Sequence, residues 1–283
     1  MREKITPRYF IKAKKEGKKL VMITAYEYMH AQLADEAGVD GLLIGDSLGM
    51  VIFGYRSTLP VTMNMIEHHL RAVLNASPRS LVVADMPFLS YEISREDAVR
   101  NAGKLIKIGA DAVKVEGGIE IIDKIEAMTK IGIPVMGHIG LNPQRYLIYG
   151  LRLRGSTAED AEKIIEDAKA LQEAGVFSIV IEFTTSEIAS EITKMLKIPT
   201  ICIGSGVECD GQILVFHDLV GLTPSPPPFV RKYANAKEIF LEALKHYVND
   251  VRQGLFPSEK ESFRMDPSEY KRFLEKSKRY QTL

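Results

Sequence analysis

The sequence predicts an α/β fold: a (β/α)8 TIM barrel with an N-terminal helix and a C-terminal helical extension. Three observations carry that prediction. Short apolar runs alternate with longer amphipathic ones eight times within about 200 residues, the length such a barrel needs. The runs are apolar on both faces, as strands of a parallel sheet covered by helices are. Glycines follow the amphipathic segments at Gly38, Gly109, Gly132 and Gly175, where helix C-termini call for a left-handed residue. Periodicity alone leaves a doubly wound open sheet as the competing architecture.

Taken in order, Leu20 to Thr24 reads as the first strand, followed by a helix through Ala31 to Glu36 that stops at Gly38. Gly41 to Gly45 is the second strand and Met63 to Leu74 its helix. Leu81 to Ala84 leads to a helix from Arg95 to Lys107. Ala112 to Val115 leads to one from Ile119 to Lys130. Pro134 to Gly137 is the fifth run. After a long connection, Thr157-Ala158-Glu159-Asp160 has the look of a capping box and opens a helix that runs to Ala174. Ser178 to Ile181 and Thr200 to Ile203 are separated by a helix through Ile188 to Ile192, and Gln212 to Val215 is the eighth run. Beyond residue 222 the pattern changes. Pro224 to Pro228 breaks regular structure, Ala236 to Val251 reads as a helix, and Pro267 to Lys276 as another. The expected organisation is a single domain over 1–283, with the barrel at 20–222 and a helical extension at 223–283 that packs on the barrel or on a neighbouring subunit.

Composition excludes several classes of function. The 283 residues carry 37 Lys and Arg against 37 Asp and Glu, so there is no basic excess to bind nucleic acid or a membrane surface. The longest stretch free of those four residues, Ile131 to Gln144, falls short of the ~20 residues that span a bilayer. The basic N-terminus has no apolar core that would make it a secretory signal. Cys202 and Cys209 match no common zinc spacing and are read as reduced thiols of a cytoplasmic protein.

The chemistry lies at the ends of the runs. The second ends in Asp46-Ser47, the third in Asp85, the fourth in Glu116, the fifth in His138 and the sixth in Glu182. In a parallel barrel these positions share the C-terminal rim, where barrel active sites are built. An acid after one strand is ordinarily a turn residue or helix cap, but capping does not require one after strand upon strand. Pooled carboxylates repel, and either protonation or a hard cation relieves them; the oxygen-rich set suits Mg2+ better than zinc or copper. Lys114 points to the same side as Glu116. It reads as a salt-bridge partner of the acids, a holder of a substrate carboxylate, or a Schiff-base lysine. Glu182 suits a general base. His217 could support the site from outside. The Gly204-Ser205-Gly206 loop could bind phosphate, although it does not continue as a dinucleotide fingerprint.

Several segments resemble one family. Ile23-Thr24-Ala25-Tyr26, Gly45 to Met50, Ser57 to Thr62, Ala84 to Phe88, Lys114 to Gly118, Gly137 to Leu141 and Asp210 to Val215 are similar to ketopantoate hydroxymethyltransferases, in order and at family spacing. The resemblance implies a (β/α)8 enzyme that moves a one-carbon unit from 5,10-methylenetetrahydrofolate to 3-methyl-2-oxobutanoate, with Mg2+, on the route to pantothenate and coenzyme A. Carried over by position, it implies Asp46, Asp85 and Glu116 at the metal, the last partly through water. It implies Ser47 and Lys114 on the 2-oxo acid, His138 in the pocket and Glu182 as proton acceptor. It also implies a homo-oligomer, a decamer. Glu27, Tyr55-Arg56, Arg154 and Ser205 depart from the usual family residues. Two other readings stay open on the residues alone. One is a different Mg2+-dependent 2-oxo acid barrel of the phosphoenolpyruvate mutase and isocitrate lyase type, which generally carries a catalytic cysteine in a context neither Cys here has. The other is a non-catalytic binding barrel, which would not need the full acid set.

Overall fold

The computed structural model describes residues 3–277. Its elements run α1 (Pro7–Lys15), β1 (Leu20–Thr24), α2 (Tyr28–Glu36), β2 (Gly41–Ile44), α3 (Leu48–Val51), α4 (Met63–Leu74), β3 (Leu81–Asp85), α5 (Arg95–Ile108), β4 (Ala112–Glu116) and α6 (Ile122–Lys130). They continue with β5 (Val135–Gly140), α7 (Tyr146–Tyr149), α8 (Ala158–Glu173), β6 (Ser178–Glu182), α9 (Ser186–Met195), β7 (Thr200–Ile203), β8 (Gly211–Leu214) and α10 (Phe216–Leu219). The eight strands are parallel and close into a barrel, with β8 paired to β1 from Leu20↔Gly211 to Ile23↔Leu214. The open-sheet alternative is thereby excluded.

Strand alternation sorts the side chains into two cores. One parity (Ile23, Leu42, Ile44, Val82, Ala84, Val113, Val115, Ile179 and Ile181) faces the helices and packs with Leu70, Leu105, Ile125, Leu171 and Ile192. The other parity points into the barrel. Its lower layer is apolar: Leu20, Met22, Leu43, Leu81, Val83, Ala112, Met136, Val180, Ile201 and Ile213. Helix α1 closes that end, burying Phe10 and Ala13 in the same cluster, with Phe10 edge-on to Phe177 at 6.0 Å between ring centroids. Each such fully buried aliphatic or aromatic side chain contributes about 2 kcal/mol. The floor is thus solid, and only the C-terminal end of the interior can be polar.

Four local expectations are corrected. The fifth strand does not stop at Gly137 but runs to Gly140, so His138 lies within it. Gly137 is not a breaker: a Cβ there would come 2.9 Å from Leu171, so the glycine lets α8 pack closely on β5. No helix separates β7 from β8. Residues 204–210 alone carry the chain back, and the seventh unit is a strand and a loop. That short return sets Cys209 beside Cys202, and the two form a disulfide with Cα atoms 5.9 Å apart, where reduced thiols were expected. The capping box at Thr157 is half present: Thr157 Oγ1 accepts from Asp160 N at 3.2 Å, but the Asp160 carboxylate turns to Arg154 and Gly155.

The chain falls into two compact units, the first ending at Ala234 and the second beginning at Asn235. The second holds α11 (Ala236–Arg252), a 3-10 turn at Glu259–Glu261 capped by Ser258, and α12 (Pro267–Ser277). No residue of α11 is buried, and Ile239, Phe240, Leu244 and Tyr247 stand exposed along it. The remainder of the expected extension, 278–283, lies outside the described residues. No described helix is long and apolar enough to cross a membrane.

Candidate active site

The inward parity that builds the apolar floor continues upward into a polar layer. Asp85 stands two positions beyond Val83, Lys114 and Glu116 beyond Ala112, His138 beyond Met136, and Glu182 beyond Val180. Strand register aligns them around the barrel, with Asp85 opposite Lys114 and Glu116 opposite His138. Asp46 follows the end of β2, and its backbone N–H donates to Asp85 Oδ2 at 3.1 Å. Asp46, Asp85, Lys114, Glu116 and His138 are all buried. Glu182 is more open, its side chain 17% exposed, toward the mouth. The structure therefore brings together every charged site residue expected from the sequence, and Ser47 lies beside them with Oγ 2.8 Å from Tyr26 Oη.

The charges form one connected chain. Lys114 Nζ lies 2.7 Å from Asp85 Oδ1 and 3.5 Å from Glu116 Oε1. His138 bridges two acids, with Nδ1 3.3 Å from Glu116 Oε1 and Nε2 3.1 Å from Glu182 Oε2. Burial works against a charged imidazole, but Glu116 and then the contact with Glu182 outweigh it and raise His138 to about 9. Burial likewise disfavours charge on Lys114, yet Asp85, Glu116 and Asp46 hold it above the ordinary lysine value. A raised lysine is the opposite of what a Schiff-base nucleophile requires, so that reading of Lys114 is dropped. Glu116, despite burial, is drawn down to about 2 by Lys114 and His138.

Asp46 and Asp85 are less well compensated. Burial first, then Asp85 and Glu116, push Asp46 well above the usual carboxylate range. Burial also raises Asp85, with Lys114 opposing it. Asp46 Oδ2 accepts from Gln144 Nε2 at 2.9 Å, and among the described residues no donor reaches its Oδ1. The pair is an all-oxygen donor set with surplus negative charge, which fits a hard divalent cation. Among the described residues no three His, Cys, Asp or Glu side chains converge as a closed metal cage would require. Mg2+ needs no cage, because it takes one or two carboxylates and fills its remaining positions with water and substrate oxygens. The oxygens of Glu116 are engaged otherwise, by Lys114, by His138 and by Gln144 N at 3.0 Å.

Neighbouring features find other work. Ser205 does not offer its hydroxyl to a phosphate: Oγ donates to Ile181 O at 3.0 Å and accepts from Thr184 N at 3.0 Å, tying the end of β6 to the loop after β7. Directly after Glu182, Phe183 adopts φ 42°, a left-handed conformation that a bulky residue rarely takes and that tends to persist where surrounding structure enforces it. Arg154 is buried; Nη1 donates to Gly140 O at 3.0 Å and Nη2 to Asp160 Oδ1 at 2.6 Å, so it pins the long loop to the end of β5. His217 sits with its ring centroid 5.6 Å from that of Tyr26, which in turn touches Ser47. Neither cysteine belongs to the polar layer. The sequence reading missed Gln144 and Tyr91, both buried and both bonded to the acids or their backbone. Neither carries a charge, and the only signal was the position of Asn142-Pro143-Gln144 directly after a strand that bears a site residue.

Comparison with known proteins bears on this site. A family model described as ketopantoate hydroxymethyltransferase matches residues 4–259. A protein of Staphylothermus marinus named 3-methyl-2-oxobutanoate hydroxymethyltransferase is 58% identical over 262 residues, which cover 92% of this chain and 96% of the relative. A protein of the same name from Hyperthermus butylicus is 55% identical over 272 residues, covering 96% and 94%. Among solved structures, 2,3-dimethylmalate lyase, a PEP mutase/isocitrate lyase superfamily member, aligns with a TM-score of 0.58 and 16% identity over 98% of this chain and 97% of its own. Phosphonopyruvate hydrolase in complex with oxalate and Mg2+ aligns at 0.60 and 16%, over 90% and 92%. At such identities the structural likeness speaks to the barrel fold alone.

Proposed function

The chain belongs to the ketopantoate hydroxymethyltransferase family and acts on 3-methyl-2-oxobutanoate, and from that premise we propose how its polar layer does so. The single observation that carries the reading is the run of charged contacts from Asp85 through Lys114, Glu116 and His138 to Glu182, joined by the backbone N–H of Asp46 on Asp85, all on the inward parity or at a strand end. The reading makes 5,10-methylenetetrahydrofolate the one-carbon donor, 2-dehydropantoate (ketopantoate) the product and a Mg2+ ion the cofactor.

In this reading Asp46 and Asp85 hold the ion, and Glu116 completes the site from behind them. Bound there, Mg2+ would polarise the ketone and make the C3 proton easier to remove. Lys114 Nζ, already between Asp85 and Glu116, offers its remaining N–H to the substrate carboxylate, and Ser47 Oγ orients the same group. Glu182 accepts the C3 proton. Its Oε2 lies 3.1 Å from His138 Nε2 and among the described residues no donor lies on Oε1, so this reading gives the proton to Oε1. The resulting carbanion bonds to the folate-borne methylene carbon as one of its two C–N bonds breaks. Water then displaces the second nitrogen and leaves its hydroxyl on that carbon, and the C3 proton and the spare water proton end on the two nitrogens of the departing tetrahydrofolate. His138, bridging Glu116 and Glu182, carries positive charge between the anion-binding and proton-accepting halves of the site. The protein works as a homo-oligomer in this reading and needs no nucleic-acid or membrane partner.

The experiment is direct. Purified protein incubated with Mg2+, 3-methyl-2-oxobutanoate and methylenetetrahydrofolate should form ketopantoate. Absence of product with every divalent metal tried would refute the reading.

A further inference from the structure

Gln144 is an uncharged side chain buried at the centre of the charged layer, with only 4% of its surface exposed. It lies in a 3-10 turn, Pro143–Arg145, immediately beyond β5. All of its donors and its side-chain carbonyl are engaged, the donors by residues at the ends of β2, β3 and β4 and the carbonyl by Tyr91 in the loop between β3 and α5. The backbone N–H donates to Glu116 Oε2 at 3.0 Å, and Nε2 donates to Asp46 Oδ2 at 2.9 Å and to Met86 O at 3.0 Å. Oε1 lies 2.9 Å from Tyr91 Oη, whose one proton is shared between Gln144 Oε1 and Glu116 O, also at 2.9 Å, and which accepts from Glu116 N at 3.0 Å. The two acceptors on one side of the amide, Asp46 Oδ2 and Met86 O, leave a single orientation, with Tyr91 Oη packed against the oxygen on the other side. Flipping the amide would set its oxygen against Asp46 Oδ2 and Met86 O.

The consequence concerns the acids. A buried carboxylate can rotate about its Cβ–Cγ bond, and a rotated Asp46 would present the wrong oxygen or both oxygens. With Oδ2 held by Gln144, Oδ1 is the oxygen left over. We propose that Gln144 is a positioning residue: its amide and its backbone N–H together fix the Asp46 and Glu116 carboxylates relative to each other, so that Asp46 offers Oδ1 to the cation and the 2-oxo acid. The proposal rests on the reading of Asp46 as a cation ligand. Tyr91 is the support that holds the amide in its orientation.

The test uses the full-length protein and Mn2+ alone as the probe, followed by electron paramagnetic resonance, with steady-state kinetics beside it. Gln144→Leu should weaken Mn2+ binding 10- to 100-fold, the range for groups that orient metal ligands. It should lower kcat/KM for the 2-oxo acid and leave the KM of the folate donor unchanged. Tyr91→Phe should move Mn2+ affinity in the same direction by a smaller factor, and it carries the test if Gln144→Leu does not fold. In an Asp46→Asn background, Gln144→Leu should weaken Mn2+ by less than about twofold further, because its effect passes through Asp46. Wild-type Mn2+ affinity in both Gln144→Leu and Tyr91→Phe would overturn the proposal, as would a full additional loss in the Asp46→Asn background. Unchanged Mn2+ binding in Asp46→Asn by itself would instead bring down the ligand reading, and the proposal with it.

Discussion

At the scale of single residues, the site is governed by which charges burial allows. Lys114 and His138 stay charged because each lies against two acids, and Glu116 is held ionised between them. These residue types were legible in the sequence because carboxylates at successive strand ends are unusual; the neutral Gln144 and Tyr91 were not. A second buried group gives a pH prediction away from the acid layer. His30 stacks on Phe216 with ring centroids 4.0 Å apart, and burial lowers its pKa to about 4. Above pH 6.5 the ring is neutral in both folded and unfolded chains and contributes no pH dependence. As pH falls below 6.5 the unfolded chain takes the proton first, so stability drops until about pH 4. His30→Gln should reduce the loss of stability between pH 7 and pH 5 by on the order of 1 kcal/mol, allowing for the ring's partial exposure. Urea midpoints at the two pH values would check this, and an unchanged drop would contradict it.

At the scale of elements, the strands and most helices were readable because their apolar spacing is dictated by burial on one face or two. What failed to show were departures that only packing decides. Gly137 looked like a strand end and is instead the contact surface for Leu171. The seventh unit has no helix because only residues 204–210 separate β7 from β8, a return short enough to set Cys209 beside Cys202. At α8, Asp160 gives up the reciprocal capping role and takes the Arg154 guanidinium, whose hydrogen bond holds the Asp160 carboxyl below its usual range. Asp160→Asn should therefore cost about 2 kcal/mol of stability, since it strips a charge-assisted bond from a buried arginine. The cost should shrink in an Arg154→Gln background. Thermal melts of the two single variants and the double variant would measure the coupling, and simple additivity would contradict the clamp.

At the scale of the whole molecule, the balance of 37 positive and 37 negative charges conceals an uneven distribution. The barrel interior is divided into an apolar floor sealed by α1 and a charged layer open at the other end, so chemistry is confined to one mouth. Beyond Asn235 the long helix α11 carries exposed Ile239, Phe240, Leu244 and Tyr247, an apolar surface of the kind that marks a contact face. Light scattering should accordingly return a mass that is a multiple of 31.6 kDa; a monomer at working concentration would contradict the homo-oligomer.

In the proposed reaction the charged layer removes the C3 proton of the 2-oxo acid, with Glu182 as acceptor. Exchange of that proton in D2O, followed by NMR with Mg2+ and 3-methyl-2-oxobutanoate but no folate, isolates the step. Exchange is expected with the wild-type protein and should fall by about 10²-fold or more in Glu182→Gln, which should still bind the 2-oxo acid. Exchange at the wild-type rate in Glu182→Gln would contradict it.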